Sequence, residues 1–122
     1  MSRWWNRALW MRLGAAQALI AASIYALGQP EGAFRAATQV QFMHGMATIA
    51  CATFMNVGAR EARYAPAFFQ SGIVIYGLPV WTGLFGVTTI QSMAEAFRIV
   101  GWVLLAAGWL LVIHAGRSID RA

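Results

Sequence analysis

The sequence predicts an all-α fold: a polytopic membrane protein built as a four-transmembrane-helix bundle, with both termini cytoplasmic. Three observations lead there. The chain is 60% hydrophobic and only 11% charged, against roughly 25% charged residues in soluble domains. Its apolar residues fall into four runs, each near the ~20 residues a helix needs to cross ~30 Å of hydrocarbon. Its positive charges are all arginines, placed mostly at the breaks between those runs. A soluble fold of 122 residues leaves much of its surface exposed and could not hide so much apolar area. The length allows one domain, 1–122.

The helices are expected at about 8–28, 37–57, 66–86 and 93–116. The first is interrupted early by Arg12. The breaks carry Gly28-Gln29-Pro30-Glu31-Gly32, Gly58-Ala59-Arg60-Glu61-Ala62-Arg63 and Thr88-Thr89-Ile90-Gln91-Ser92, which are turn-rich or charged as helix connections should be. Thr38-Gln39-Val40-Gln41 and Ser92-Met93-Ala94-Glu95 fit capping boxes at the starts of the second and fourth helices. On that pattern Gln41 is a helix cap at the membrane interface. Pro79 is expected to kink the third helix, and Gly72, Gly77, Gly83 and Gly86 to allow close backbone packing.

Arginine placement sets the orientation. With four crossings, Arg3, Arg7, Arg12, Arg60, Arg63, Arg117 and Arg121 share one side, and only Arg35 and Arg98 lie on the other. The arginine-rich side is expected in the cytoplasm, with Arg12 snorkelling to that interface. Trp4, Trp5 and Trp10 suit an anchor at the same face, for lipid or for a partner protein. The basic start and Ala26-Leu27-Gly28 mimic a secretory signal; the segment is read as a retained helix.

Several function classes lose support. A nucleic-acid binder needs a clustered basic face, and these arginines are scattered. The single Cys51 cannot form an internal disulfide, and no zinc-type Cys/His spacing occurs. The acids Glu31, Glu61, Glu95 and Asp120 lie at helix ends or loops, so no intramembrane carboxylate is expected for proton or ion transport. No phosphate-cradling glycine motif is present.

The informative stretch is QVQFMHGMATIA, residues 39–50. Gln41, His44, Thr48, Cys51 and Met55 recur at three and four and so share one helix face. Polar groups in hydrocarbon turn toward neighbouring helices and hydrogen-bond across them. Gln41, His44 and Thr48, with Gln17 of the first helix, are therefore the candidate interhelical polar site or pocket. His44 can be a neutral bridging residue, a tetrapyrrole ligand, a quinone contact or part of a proton relay. Gln70 is expected to bridge helices. His114 is expected near an interface. The two histidines differ by about 15 Å in depth at 1.5 Å per residue, too far to ligate one haem together.

Val40-Gln41-Phe42-Met43-His44-Gly45-Met46-Ala47 is similar to the "YqxyHALa" pattern of domain of unknown function 423, the transmembrane protein 256-like small inner-membrane proteins. Phe69, Gly72, Ile73 and Tyr76 follow the family's "F-x-x-G-I-x-x-F" spacing, and Gly101 with Gly108-Trp109 resembles its "G…GW" ending. The family's "GAfGAHg", "FSGS" and "TPiGG" motifs are replaced here by Ala22–Gly28, Tyr76-Gly77-Leu78-Pro79 and Arg98-Ile99-Val100-Gly101-Trp102. The resemblance implies a divergent member with a four-helix fold, and it carries no catalytic residue.

The resulting expectation is a non-catalytic accessory, stabilising or assembly subunit of a larger membrane complex in the cell inner membrane, with respiratory or photosynthetic electron transfer as the host class. The alternative is a small-molecule binding or transport protein for a quinone, tetrapyrrole or solute, with its pocket near His44. No catalytic residue, metal or cofactor is predicted, although a single-histidine pigment or haem contact at His44 stays open. The expected partners are a larger integral membrane protein and the lipid bilayer, and no nucleic acid.

Overall fold

The computed structural model describes residues 6–119. Trp4, Trp5, Arg3, Asp120 and Arg121 lie outside that range. The described chain holds four long helices and no strand: α1 Arg7–Gly28, α2 Gly32–Asn56, α3 Ala65–Leu84 and α4 Ala94–Gly116. Short 3-10 helices, Arg60–Tyr64 and Gln91–Met93, lead into α3 and α4.

Each boundary has a local cause. Asn6 starts α1: its side-chain oxygen accepts from the backbone N–H of Ala8 and Leu9, satisfying amides that the first turn leaves without helical partners. Gln29 ends α1 in the left-handed region at φ 46, and Pro30 cannot continue the helix. Gly86 at φ 81 turns the chain after α3. The Gln91 amide donates to Pro79 O at 2.8 Å and folds the loop back over the end of α3.

Two expected caps are corrected. α2 begins at Gly32, not near residue 37, so Thr38 lies inside the helix, fully buried, and donates to Phe34 O at 2.7 Å. Gln41 is therefore no interface cap. At the start of α4, Met93 takes the cap position without a side-chain bond, and Glu95 pairs with Arg98 one turn on. Gly86 is also a turn glycine rather than a packing one, because a Cβ there would meet nothing within 4 Å. α3 runs unbroken through Pro79.

Among the described residues, three stretches are long and apolar enough to cross a membrane: Arg7–Gly28, Arg60–Leu84 and Gln91–Gly116. α2 is more polar, and its polar stripe faces the inside of the bundle. It packs against both α1 and α3, whereas α4 packs on α3, and the expected stripe of Gln41, His44, Thr48 and Cys51 is buried. α1 and α4 flank this pair and expose large apolar side chains, among them Leu19, Ile20, Trp102, Val103, Leu110 and Ile113.

Glycines set the close approaches. A Cβ on Gly14 would lie 2.6 Å from Gly45 O, and one on Gly45 2.9 Å from Gly14 O, so α1 and α2 cross backbone to backbone. Gly72 and Gly101 do the same for α3 and α4: a Cβ on Gly101 would sit 2.7 Å from Tyr76 N. Small-residue contact of this kind drives helix association where lipid is as apolar as leucine.

The arginines sort to the ends of the bundle. Arg7 bonds to Asn56 at the end of α2, and the 3-10 helix carrying Arg60 and Arg63 packs on the end of α4 through Ala59, Ala62 and Ala115. Arg98 lines a cleft with Ala33, Ala36 and Pro79 at the opposite end.

Candidate functional site

The buried stripe of α2 is the hub of a side-chain chain that touches all four helices. The Gln41 amide donates to Gln17 Oε1 at 2.7 Å, joining α2 to α1. Gln17 donates to Gln70 Oε1 at 3.2 Å, joining α1 to α3. Gln70 donates to Thr48 Oγ1 at 3.0 Å, returning to α2. Thr48 ends the run by donating to His44 O at 2.7 Å. Every link runs in one sense, from Gln41 to the carbonyl of His44.

The imidazole of His44 makes the remaining link. Its Nδ1 lies 2.8 Å from Val40 O, and Trp109 Nε1 lies 2.9 Å from its Nε2. A carbonyl can only accept and an indole N–H can only donate. The two partners therefore fix the neutral Nδ1–H tautomer, with the Nε2 lone pair directed at Trp109. The ring also packs on Phe69, which packs edge-on against Trp109, with centroids 5.6 and 5.0 Å apart. Gly108 makes room for Phe69: a Cβ there would lie 2.7 Å from the ring.

The four sequence-predicted residues, Gln17, Gln41, His44 and Thr48, thus belong to one network. Trp109 and Gln70 complete it. The sequence pattern pointed to Gln70 only as a helix bridge and to Trp109 only through a family motif. His44 sits at the middle of α2, twelve residues from Gly32, so it lies about 18 Å from the helix start rather than the 10 Å that a start near residue 37 implies. His114 belongs elsewhere, 3.5 Å from Glu61 at the arginine-rich end.

The chemistry of these groups is restricted. Carboxamides carry fixed donors and acceptors and do not titrate, so the three glutamines supply no proton-carrying link. A metal at His44 Nε2 would have to displace the Trp109 N–H. Among the described residues no group of three or more His, Cys, Asp or Glu is placed to hold a metal ion. Among the network residues, Gln41 Oε1 is buried without a partner. Clefts lined by Tyr64, Phe68 and Leu110, and by Tyr25, Gln39 and Phe42, lie on the flanks of the bundle and include none of the network residues.

Fold and site together define an all-helical protein with helices of membrane-spanning length and apolarity, cross-linked inside by a neutral polar network. Set beside known proteins, the chain matches no family model, no curated protein and no solved structure.

Proposed function

We propose that this chain is a non-catalytic integral membrane subunit that stabilises or assembles a larger complex. In this reading α2 crosses the membrane with the other three helices, and both termini face the cytoplasm. The observation that carries it is that the buried polar side chains bond mostly to one another, with Gln41 Oε1 the one network atom left over. Gln17, Gln41, Gln70, Thr48, His44 and Trp109 each make a hydrogen bond to a neighbouring helix, and Thr48 and His44 also bond within α2. Such bonds hold helices in register and leave little for a substrate. The apolar flanks of α1 and α4 are the surfaces available to lipid and to a partner. The resemblance to the domain of unknown function 423 proteins fits a small inner-membrane bundle, and an electron-transfer complex is the proposed host.

The test is native purification from the source membranes in mild detergent, followed by native gels and mass spectrometry. We expect the chain to migrate with a larger membrane protein. Removing residues 1–5 with Trp4 and Trp5, while sparing the Asn6 cap, should weaken that association and leave membrane insertion intact. A chain recovered only as a free monomer contradicts the proposal.

One observation favours a second reading, a small-molecule site near His44. The buried, unpartnered Gln41 Oε1 could accept from a hydroxyl-bearing ligand such as a quinol. That reading requires a bound molecule in the purified protein that is lost on Gln41→Leu.

A further inference from the structure

A cleft of about 320 Å³ opens between the start of α1 and the end of α2. Arg7, Arg12, Thr53 and Asn56 line its polar part, and Ala8 and Ala52 contribute to its apolar part. We propose that this cleft binds the phosphate of an anionic phospholipid, with both guanidiniums on the headgroup and the acyl chains along the exposed apolar side of α1.

Five features of the cleft support this assignment. Arg12 makes no hydrogen bond or ion pair among the described residues, although it lies within a stretch apolar enough to span a membrane. An arginine that snorkels from that depth reaches the headgroup level, where a lipid phosphate is the available counter-charge. Arg7 is already oriented by its bond to Asn56 across the cleft. The amides at the start of α1 are taken up by Asn6, so the side chains, and not the helix end, would hold the anion. Arginine presents a planar fork that matches phosphate oxygens bidentately, and Thr53 lines the same cleft. Arg12 lies five residues beyond Arg7, about 7.5 Å further along the axis. A lipid phosphate can reach between these two depths while its glycerol stays in the interface, and basic pockets between membrane helices are known to select anionic headgroups. A free phosphate offers the same chemistry but has no apolar body for Ala8 and Ala52. The inference rests on membrane placement of α1 but not on any partner complex.

The test uses the full chain in nanodiscs of phosphatidylcholine with or without phosphatidylglycerol, released for native mass spectrometry. We expect one phosphatidylglycerol to be retained in preference to phosphatidylcholine. Arg12→Gln should reduce that retention about tenfold, the worth of one charge-assisted hydrogen bond. Arg12→Lys, which keeps the charge and carries little folding risk, should also lose most of it. Arg117→Gln, at the same end of the bundle but outside the cleft, should retain lipid like the parent. Equal losses for Arg12→Gln and Arg117→Gln, or an unaffected Arg12→Lys, would reduce the effect to diffuse charge and overturn the site. Binding of inorganic phosphate in detergent without lipid retention would overturn the lipid assignment. A failure of α1 to insert shows separately, as loss of the chain from the membrane fraction.

Discussion

Trp109 Nε1 of α4 donates to His44 Nε2 of α2 across 2.9 Å, a bond between residues 65 positions apart. It sets both the tautomer of the histidine and the rotation of α4 against the centre of the bundle. Nitrogen-15 NMR of labelled protein should report a neutral Nδ1–H imidazole for His44. Trp109→Phe keeps a ring against Phe69 but removes the donor, and should cost about 0.5–2 kcal/mol, the range of interhelical hydrogen bonds in membranes. An Nε2–H tautomer in the parent protein would contradict the geometry.

The glutamine links should be energetically coupled. Gln17 and Gln70 meet at 3.2 Å between α1 and α3. A double-mutant cycle with Gln17→Leu and Gln70→Leu should give a coupling of about 0.5–1.5 kcal/mol. Strictly additive losses would mean that the two amides do not meet.

The glycine crossings predict a sharp contrast between positions. Gly101→Ala places a methyl 2.7 Å from Tyr76 N and 2.8 Å from its Cα, backbone atoms that cannot swing aside. It should destabilise by about 1–3 kcal/mol. Gly116→Ala meets nothing within 4 Å and should be neutral or slightly stabilising, because alanine favours helix by up to ~1 kcal/mol. Thermal unfolding in detergent separates the two; equal melting temperatures would refute the α3–α4 packing.

Topology can be read by cysteine labelling in a Cys51→Ala background. Ala59 is buried against Ala62 and Ala115, so Val57, which is exposed, is the better reporter of the α2–α3 connection. Val57→Cys should label from the cytoplasm and Glu31→Cys from the opposite side. Labelling of both from one side would remove α2 as a crossing segment.

The fold was legible where a single helix carries the information. Four apolar runs gave four helices, and α1 begins and ends within a residue of its expected range. The three-and-four spacing of Gln41, His44, Thr48 and Cys51 identified the buried face of α2. Patterns of the same length failed at the caps. Thr38 followed three places on by Gln41 looks like a helix start, yet residues 32–37 are helical too, and the hydroxyl bonds back to Phe34. Residues 33–37 hold no helix breaker, and the true start lies at the turn-rich break itself, where Pro30 and Gly32, at φ 58, mark the boundary. The Trp109–His44 bond was out of reach for another reason. Spacing along one helix fixes a face, whereas register between helices depends on crossings such as Gly14 on Gly45 and Gly101 on Tyr76.

The central claim is that the buried network holds helices together and does no chemistry, and His44 variants test it most directly. His44→Gln can still present an acceptor to Trp109, His44→Asn keeps a donor near Val40 O, and His44→Leu offers neither. Thermal unfolding and the absorption spectrum of each purified variant should be recorded together. We expect His44→Gln and His44→Asn to melt near the parent, His44→Leu to lose about 0.5–2 kcal/mol, and all spectra to be those of the aromatic residues alone. A visible absorption band in the parent that disappears in all three variants, whatever their stability, would contradict the claim and make His44 a ligand.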